Sequence, residues 1–97
     1  MPDIQCAELS FSRHAIQRMF ARGLKAADVR AVIATGEIIA EYPDDQPYPS
    51  YLVLGFVNNQ SIHVVVARTA DGRCRVITAY IPDPAIWMAD FRTRRSP

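Results

Sequence analysis

The feature that most constrains this chain is a change of period at Gly36. Before it, apolar residues recur at helical spacing; from Glu37 onward they alternate, and β-branched and aromatic residues become frequent. A helical N-terminal third must therefore be followed by a sheet. The first helix spans residues 12–23 (SRHAIQRMFARG), with Ser12 as N-cap, Phe11 placed to staple against Ala15 or Ile16, and Gly23 as the stop. The second spans 26–34, with Val29, Val32 and Ile33 as a narrow apolar stripe and Thr35-Gly36 closing it. Lys25 is a poor cap for its start.

Four strands are predicted: 37–42 (EIIAEY), 51–57 (YLVLGFV), 62–68 (IHVVVAR) and 74–81 (CRVITAYI). Pro43, Asp44, Asp45, Pro47 and Pro49 break pairing after the first, Asn58-Asn59 turns the next two into a hairpin, and Asp71-Gly72 returns the last. Pro82 ends the sheet. Asp83 and Pro84 suit the start of a short terminal helix, DPAIWMADF, in which Ile86, Trp87 and Phe91 supply the apolar contacts and after which the basic tail RTRRSP frays. Residues 4–9 read equally as a short edge strand or an extended arm. The expected fold class is α+β: two N-terminal helices packed on a four-stranded antiparallel sheet, with a short C-terminal helix.

A chain of 97 residues, 49% hydrophobic and 22% charged, fits one globular domain over residues 1–97 and excludes a disordered chain. No apolar run approaches the length of a membrane span, and the start MPDIQCAELS lacks the basic and apolar regions of a secretory signal, so the default location is cytoplasmic. Cys6 and Cys74 lie far apart without a C-x-x-C, and both read as reduced packing residues.

The net charge of +1 hides a pattern. Residues 1–12 carry two acids, 13–30 five bases against Asp28, 31–67 four acids, and 68–97 six arginines against three acids: −2, +4, −4 and +3. Ten of the eleven bases are arginine, whose planar fork suits phosphate and stacks on bases. An anionic ligand would find its basic walls on the first helix and the C-terminal third; pairing of these arginines with surface acids explains the same composition.

On the first helix, at 100° per residue, His14, Arg18 and Arg22 fall at about 0°, 40° and 80°, while Ala15, Met19, Ile16 and Phe20 fall at about 100° to 240°. One imidazole and two guanidiniums thus form a stripe bordering the apolar face to be buried. The other histidine, His63, lies on the third strand, which Arg68 ends. On the fourth, alternation sets Arg75, Ile77, Ala79 and Ile81 on one face and Val76, Thr78 and Tyr80 on the other. No metal-ligand spacing, glycine-rich phosphate loop or serine nucleophile motif is present, and no cofactor is implied. What these residues suit is metal-free cleavage of RNA through its own 2′-hydroxyl, with His14 transferring protons, Arg18 and Arg22 binding phosphate, and His63, Arg68, Thr78 and Tyr80 as substrate contacts. Two other readings stand beside it. The stripe can dock a nucleic acid or protein without chemistry, or it can pair with Glu37, Glu41 or Asp90 to lock helix to sheet; Thr78 and Tyr80 can likewise bond within the sheet.

The segments HAIQRMFARGL, TGE, IIAEYPDDQPYPSYLVLG, IHVVVA and VITAYIPDPAIWMADFRTRR together resemble the bacterial family called domain of unknown function 4258, over roughly residues 10–95. The patterns H-A-x-x-R-M-x-x-R and T-x-Y-x-P-D with a following Trp carry the resemblance, and His14, Arg18, Arg22, Thr78 and Tyr80 fall on them. Lys25 departs from the Ser, Thr or Asp usual at its position. The family more distantly resembles toxin nucleases of the RelE and BrnT kind. That implies a metal-independent ribonuclease, the toxic half of a toxin–antitoxin pair, whose partners would be RNA and an antitoxin protein, with no oligomeric state implied.

Overall fold

The computed structural model describes residues 4–95. Strand β1 (Glu8–Phe11) leads through Ser12 into helix α1 (Arg13–Ala21) and helix α2 (Ala26–Thr35). Strands β2 (Glu37–Tyr42), β3 (Ser50–Val57), β4 (Gln60–Arg68) and β5 (Arg73–Tyr80) follow. The sheet order is β1-β5-β4-β3-β2, antiparallel except that β1 pairs parallel with β5.

The local signals explain most of these elements. Ser12 Oγ accepts from the Ala15 amide at 3.0 Å, and Gly23 adopts the left-handed conformation, φ 70°, that stops α1. Asn58 and Asn59, both at positive φ, make the tight β3–β4 turn that their sequence announces. Asp28, three residues into α2, accepts from the Lys25 amide at 3.1 Å and so supplies the cap that lysine's side chain does not.

The two helices carry the chain across one face of the sheet, from β1 at one edge to β2 at the other, and the meander β2-β3-β4-β5 brings it back beside β1. The core lies on this inner face. Val29, Val32 and Ile33 of α2 and Ala15 and Met19 of α1 pack on Val53, Ile62, Val64, Val66, Val76 and Ala79, all buried. Gly55 lets α2 approach closely, since a Cβ there would sit 2.9 Å from Val32 Cγ1.

The expected fold is corrected in three respects. The sheet has five strands and is mixed, because residues 8–11 form an edge strand whose partner, β5, lies at the far end of the sequence. The C-terminal helix is absent. Asp83 does cap a turn, its Oδ1 accepting from the Ala85 amide, but the chain then doubles back: the Met88 amide donates to Thr93 O, the Arg95 amide to Ile86 O, and Trp87 bridges Arg94. This strap, residues 82–95, lies on the outer face of the sheet with Trp87 buried beneath it, and the tail as far as Arg95 is held down, Arg92 by Glu37 and Arg95 by the Pro84 carbonyl. Ser96 and Pro97 lie outside the described residues.

Third, β5 carries a bulge at Ile77. Val66 opposes Val76, but Val65 opposes Thr78, so Val76 and Ala79 face the helices while Arg75, Thr78 and Tyr80 face outward. Simple alternation groups Val76 with Thr78 and Tyr80, and Ala79 with Arg75, and the bulge overturns that grouping.

The cysteines are also corrected. Leu9 pairs with Cys74, which brings Cys6, just before β1, alongside, and the two form a disulfide. Parallel pairing of β1 with β5 cancels their separation in sequence. Among the described residues no helix is long and apolar enough to cross a membrane, and no group of three or more His, Cys, Asp or Glu could hold a metal ion.

Candidate functional site

At the end of β5, where the strap leaves the sheet, a cavity of about 670 Å³ opens on the outer face. Four parts of the chain line it: Arg22 from the end of α1; Tyr42 and Leu52 from β2 and β3; Tyr80 and the following Ile81 at the end of β5; and Asp83, Ile86, Trp87 and Arg94 from the strap. Arg22 reaches it because the last turn of α1 lies against β5, where the guanidinium Nη1 donates to the Ala79 carbonyl at 2.7 Å. Arg94 is held with its guanidinium 5.8 Å from the centre of the Trp87 ring. Two guanidiniums and three aromatic rings thus converge on one opening, with Asp83 as the one acid of its lining.

His63 lies beneath this cavity, fully buried. Its Nε2 is 2.6 Å from the Phe91 carbonyl oxygen and its Nδ1 is 3.2 Å from the Tyr80 hydroxyl. A carbonyl can only accept, so Nε2 carries the proton; Nδ1 of the neutral ring is then an acceptor, and Tyr80 donates to it. Trp87 meets the imidazole edge-on, with centroids 4.5 Å apart, and Tyr80 does so at 5.3 Å. Burial lowers the His63 pKa, opposed by the bond to Phe91. Burial likewise raises that of Tyr80, Tyr42 adding to the rise and Arg94 and Arg22 opposing it. Both groups are neutral at pH 7.

The predicted site residues separate. Arg22, Tyr80 and His63 come together here. His14 and Arg18 share the helical stripe with Arg22 but are exposed, and their side chains make no hydrogen bond or ion pair among the described residues. The helix advances about 12 Å from His14 to Arg22, and only the last of the three reaches the cavity. Arg68 lies at the opposite end of β4, about 17 Å from His63 along the strand, with its Nε donating to the Gln5 carbonyl at 2.8 Å. Thr78 is half-buried on the outer face, two residues before Tyr80, and does not line the cavity.

Of the acids that could pair with the stripe, Glu37 pairs instead with Arg92, and it is the bond of Arg22 to the Ala79 carbonyl that ties α1 to β5. The apolar face of α1 is not fully buried: Ala15 and Met19 are, but Ile16 is 56% and Phe20 87% exposed. Sequence reasoning missed Tyr42, Trp87 and Arg94. The single tryptophan, seven residues before Arg94 at the same end of the chain, is the available signal, and the expected terminal helix, which does not form, hides it.

No curated protein and no solved structure matches the chain. The family model described as "Domain of unknown function (DUF4258)" matches residues 11–81, a stretch that runs from the end of β1 through Tyr80 and holds Arg22, His63 and Tyr80. The chain belongs to that family.

Proposed function

We propose that this domain binds single-stranded RNA in the outer-face cavity and cleaves it without a metal ion. The observation that carries the reading is the convergence of Arg22 and Arg94 with Tyr80, whose hydroxyl is already bonded to a neutral, buried histidine. The guanidiniums suit the phosphate and the charge that develops on it, and the Trp87 and Tyr42 rings suit an unpaired base.

In the proposed step the 2′-hydroxyl gives its proton to the Tyr80 oxygen as the Tyr80 proton passes to His63 Nδ1. The 2′-oxygen attacks phosphorus, the bond to the 5′-oxygen breaks, and that oxygen takes a proton from water, the hydroxide left behind being neutralised by the proton that His63 returns through Tyr80. The products are a 2′,3′-cyclic phosphate and a 5′-hydroxyl. His63, still donating from Nε2 to Phe91, holds the proton until it is returned. His14 has no part in this scheme. That the domain is a toxin with an antitoxin partner belongs to the same proposal and rests on the more distant resemblance of its family to RelE and BrnT nucleases.

A second reading has its own support. Burial opposes the imidazolium the relay requires, so the cavity can hold RNA and leave it intact. Labelled single-stranded RNA incubated with the protein in EDTA separates the two. Cyclic phosphate ends produced by the parent and by His14→Ala, and lost in Tyr80→Phe, are expected. Binding with no cut strand would leave the second reading, and absence of binding would remove both.

A further inference from the structure

A second cavity, about 680 Å³, lies at the opposite end of β5. Its lining includes Arg73 and Arg75 of β5, Ile77 at the bulge, and Tyr48 from the proline-rich loop between β2 and β3. Arg75 is exposed, and its side chain makes no hydrogen bond or ion pair among the described residues. Arg73 pairs with Asp71 at 3.1 Å, but both side chains are about three-fifths exposed, and a phosphate can compete with so solvated a pair. Tyr48 is 45% exposed beside them. The acid in the lining is Glu8. Two arginines and one aromatic ring meet here, where the first cavity has two arginines and three rings.

The bulge joins the two. Because Ile77 absorbs the extra residue, Arg75, Thr78 and Tyr80 all face outward, and Ile77 itself is 37% exposed between the cavities. A ligand on this face can run from Tyr80 to Arg73 without crossing a helix. That path is about 23 Å, seven residues at strand rise, or about four to seven nucleotides of single strand, within the range of single-strand binding modules.

We propose that the second cavity is a further nucleotide subsite, and that the ligand is a single strand lying along β5 with one end at Arg22 and Arg94 and the other at Arg73 and Arg75. This rests on the RNA reading of the first cavity and adds to it a minimum ligand length.

The test uses 2′-O-methyl oligouridylates of two and eight nucleotides, which cannot form a cyclic phosphate. Trp87, the one tryptophan of the chain, reports occupancy of the first cavity by fluorescence. The octamer is expected to bind at least about tenfold tighter than the dimer, with a steeper dependence on salt. Arg75→Ala should remove most of that advantage and leave the dimer unchanged, while Arg22→Ala weakens both; circular dichroism checks the folding of each variant. Equal affinity for the two lengths, or an octamer indifferent to Arg75→Ala, would overturn the track and leave the first cavity standing. If neither oligonucleotide binds, the RNA reading and the track fall together.

Discussion

The two faces of the sheet are closed in different ways. On the inner face two helices cover a layer of valines and isoleucines, and the buried side chains there are apolar. On the outer face the cover is irregular chain, the proline-rich loop at one end and the strap at the other, and among the buried residues are Ser50, Ser61 and His63. A helix satisfies its own backbone and can offer an apolar stripe to the sheet. The strap bonds only part of its backbone to itself, and its Phe91 carbonyl is satisfied by an imidazole instead. The inner face is thus a dry apolar layer, and the outer face leaves two cavities, the first of them above a buried histidine.

The comparison can be broken first at the inner edge. Replacing Cys6 and Cys74 together by serine leaves β1 held to β5 by its ladder alone, and the loop the disulfide closes makes the expected loss about 4 kcal/mol, read from denaturant melts with and without reductant. Next is Gly36→Ala, where the added Cβ would lie 2.5 Å from the carbonyl oxygens of Val32 and Leu54 and would push α2 away from β3. A loss of about 3 kcal/mol is expected by the same melts.

On the outer face, His63→Leu keeps the bulk but leaves the Tyr80 hydroxyl and the Phe91 carbonyl without their partner, costing about 2 kcal/mol. The pH dependence sharpens this. The folded-state pKa of His63 lies below its ordinary 6.5, so on acidification the unfolded chain takes up a proton that the folded one resists. The contribution is fully present above about pH 6.5 and is lost as pH falls from there toward the folded-state pKa. His63→Gln should flatten that part of the stability profile. The smallest effect is expected at His14, which belongs to neither face: His14→Ala should leave the melting free energy within about 0.5 kcal/mol.

Much of this architecture could be read from local chemistry. Ser12 and Gly23 bound the first helix, Asn58-Asn59 makes a turn, and the valines of α2 face the sheet, because capping, positive φ and amphipathic period act within a few residues. The site was less legible. Arg22, His63 and Tyr80, three residue types suited to the chemistry, meet at the first cavity, whereas His14 and Arg18, which share Arg22's stripe, do not line it. Periodicity reports the angle of a side chain about its helix and says nothing of how far along the sheet that helix ends.

The sequence by itself determined α1, α2 and the four strands β2 to β5, the turns at Gly23 and Asn58-Asn59, and the apolar stripe of α2, since each depends on neighbours a few residues away. Tertiary structure decided the rest. Parallel pairing of β1 with β5 joined Cys6 to Cys74, the bulge at Ile77 turned Val76 and Thr78 to opposite faces, and the bonds of His63 to Phe91 and Tyr80 accompany a strap where a helix was expected. These outcomes depend on contacts between residues distant in the chain, whose energies no local pattern contains.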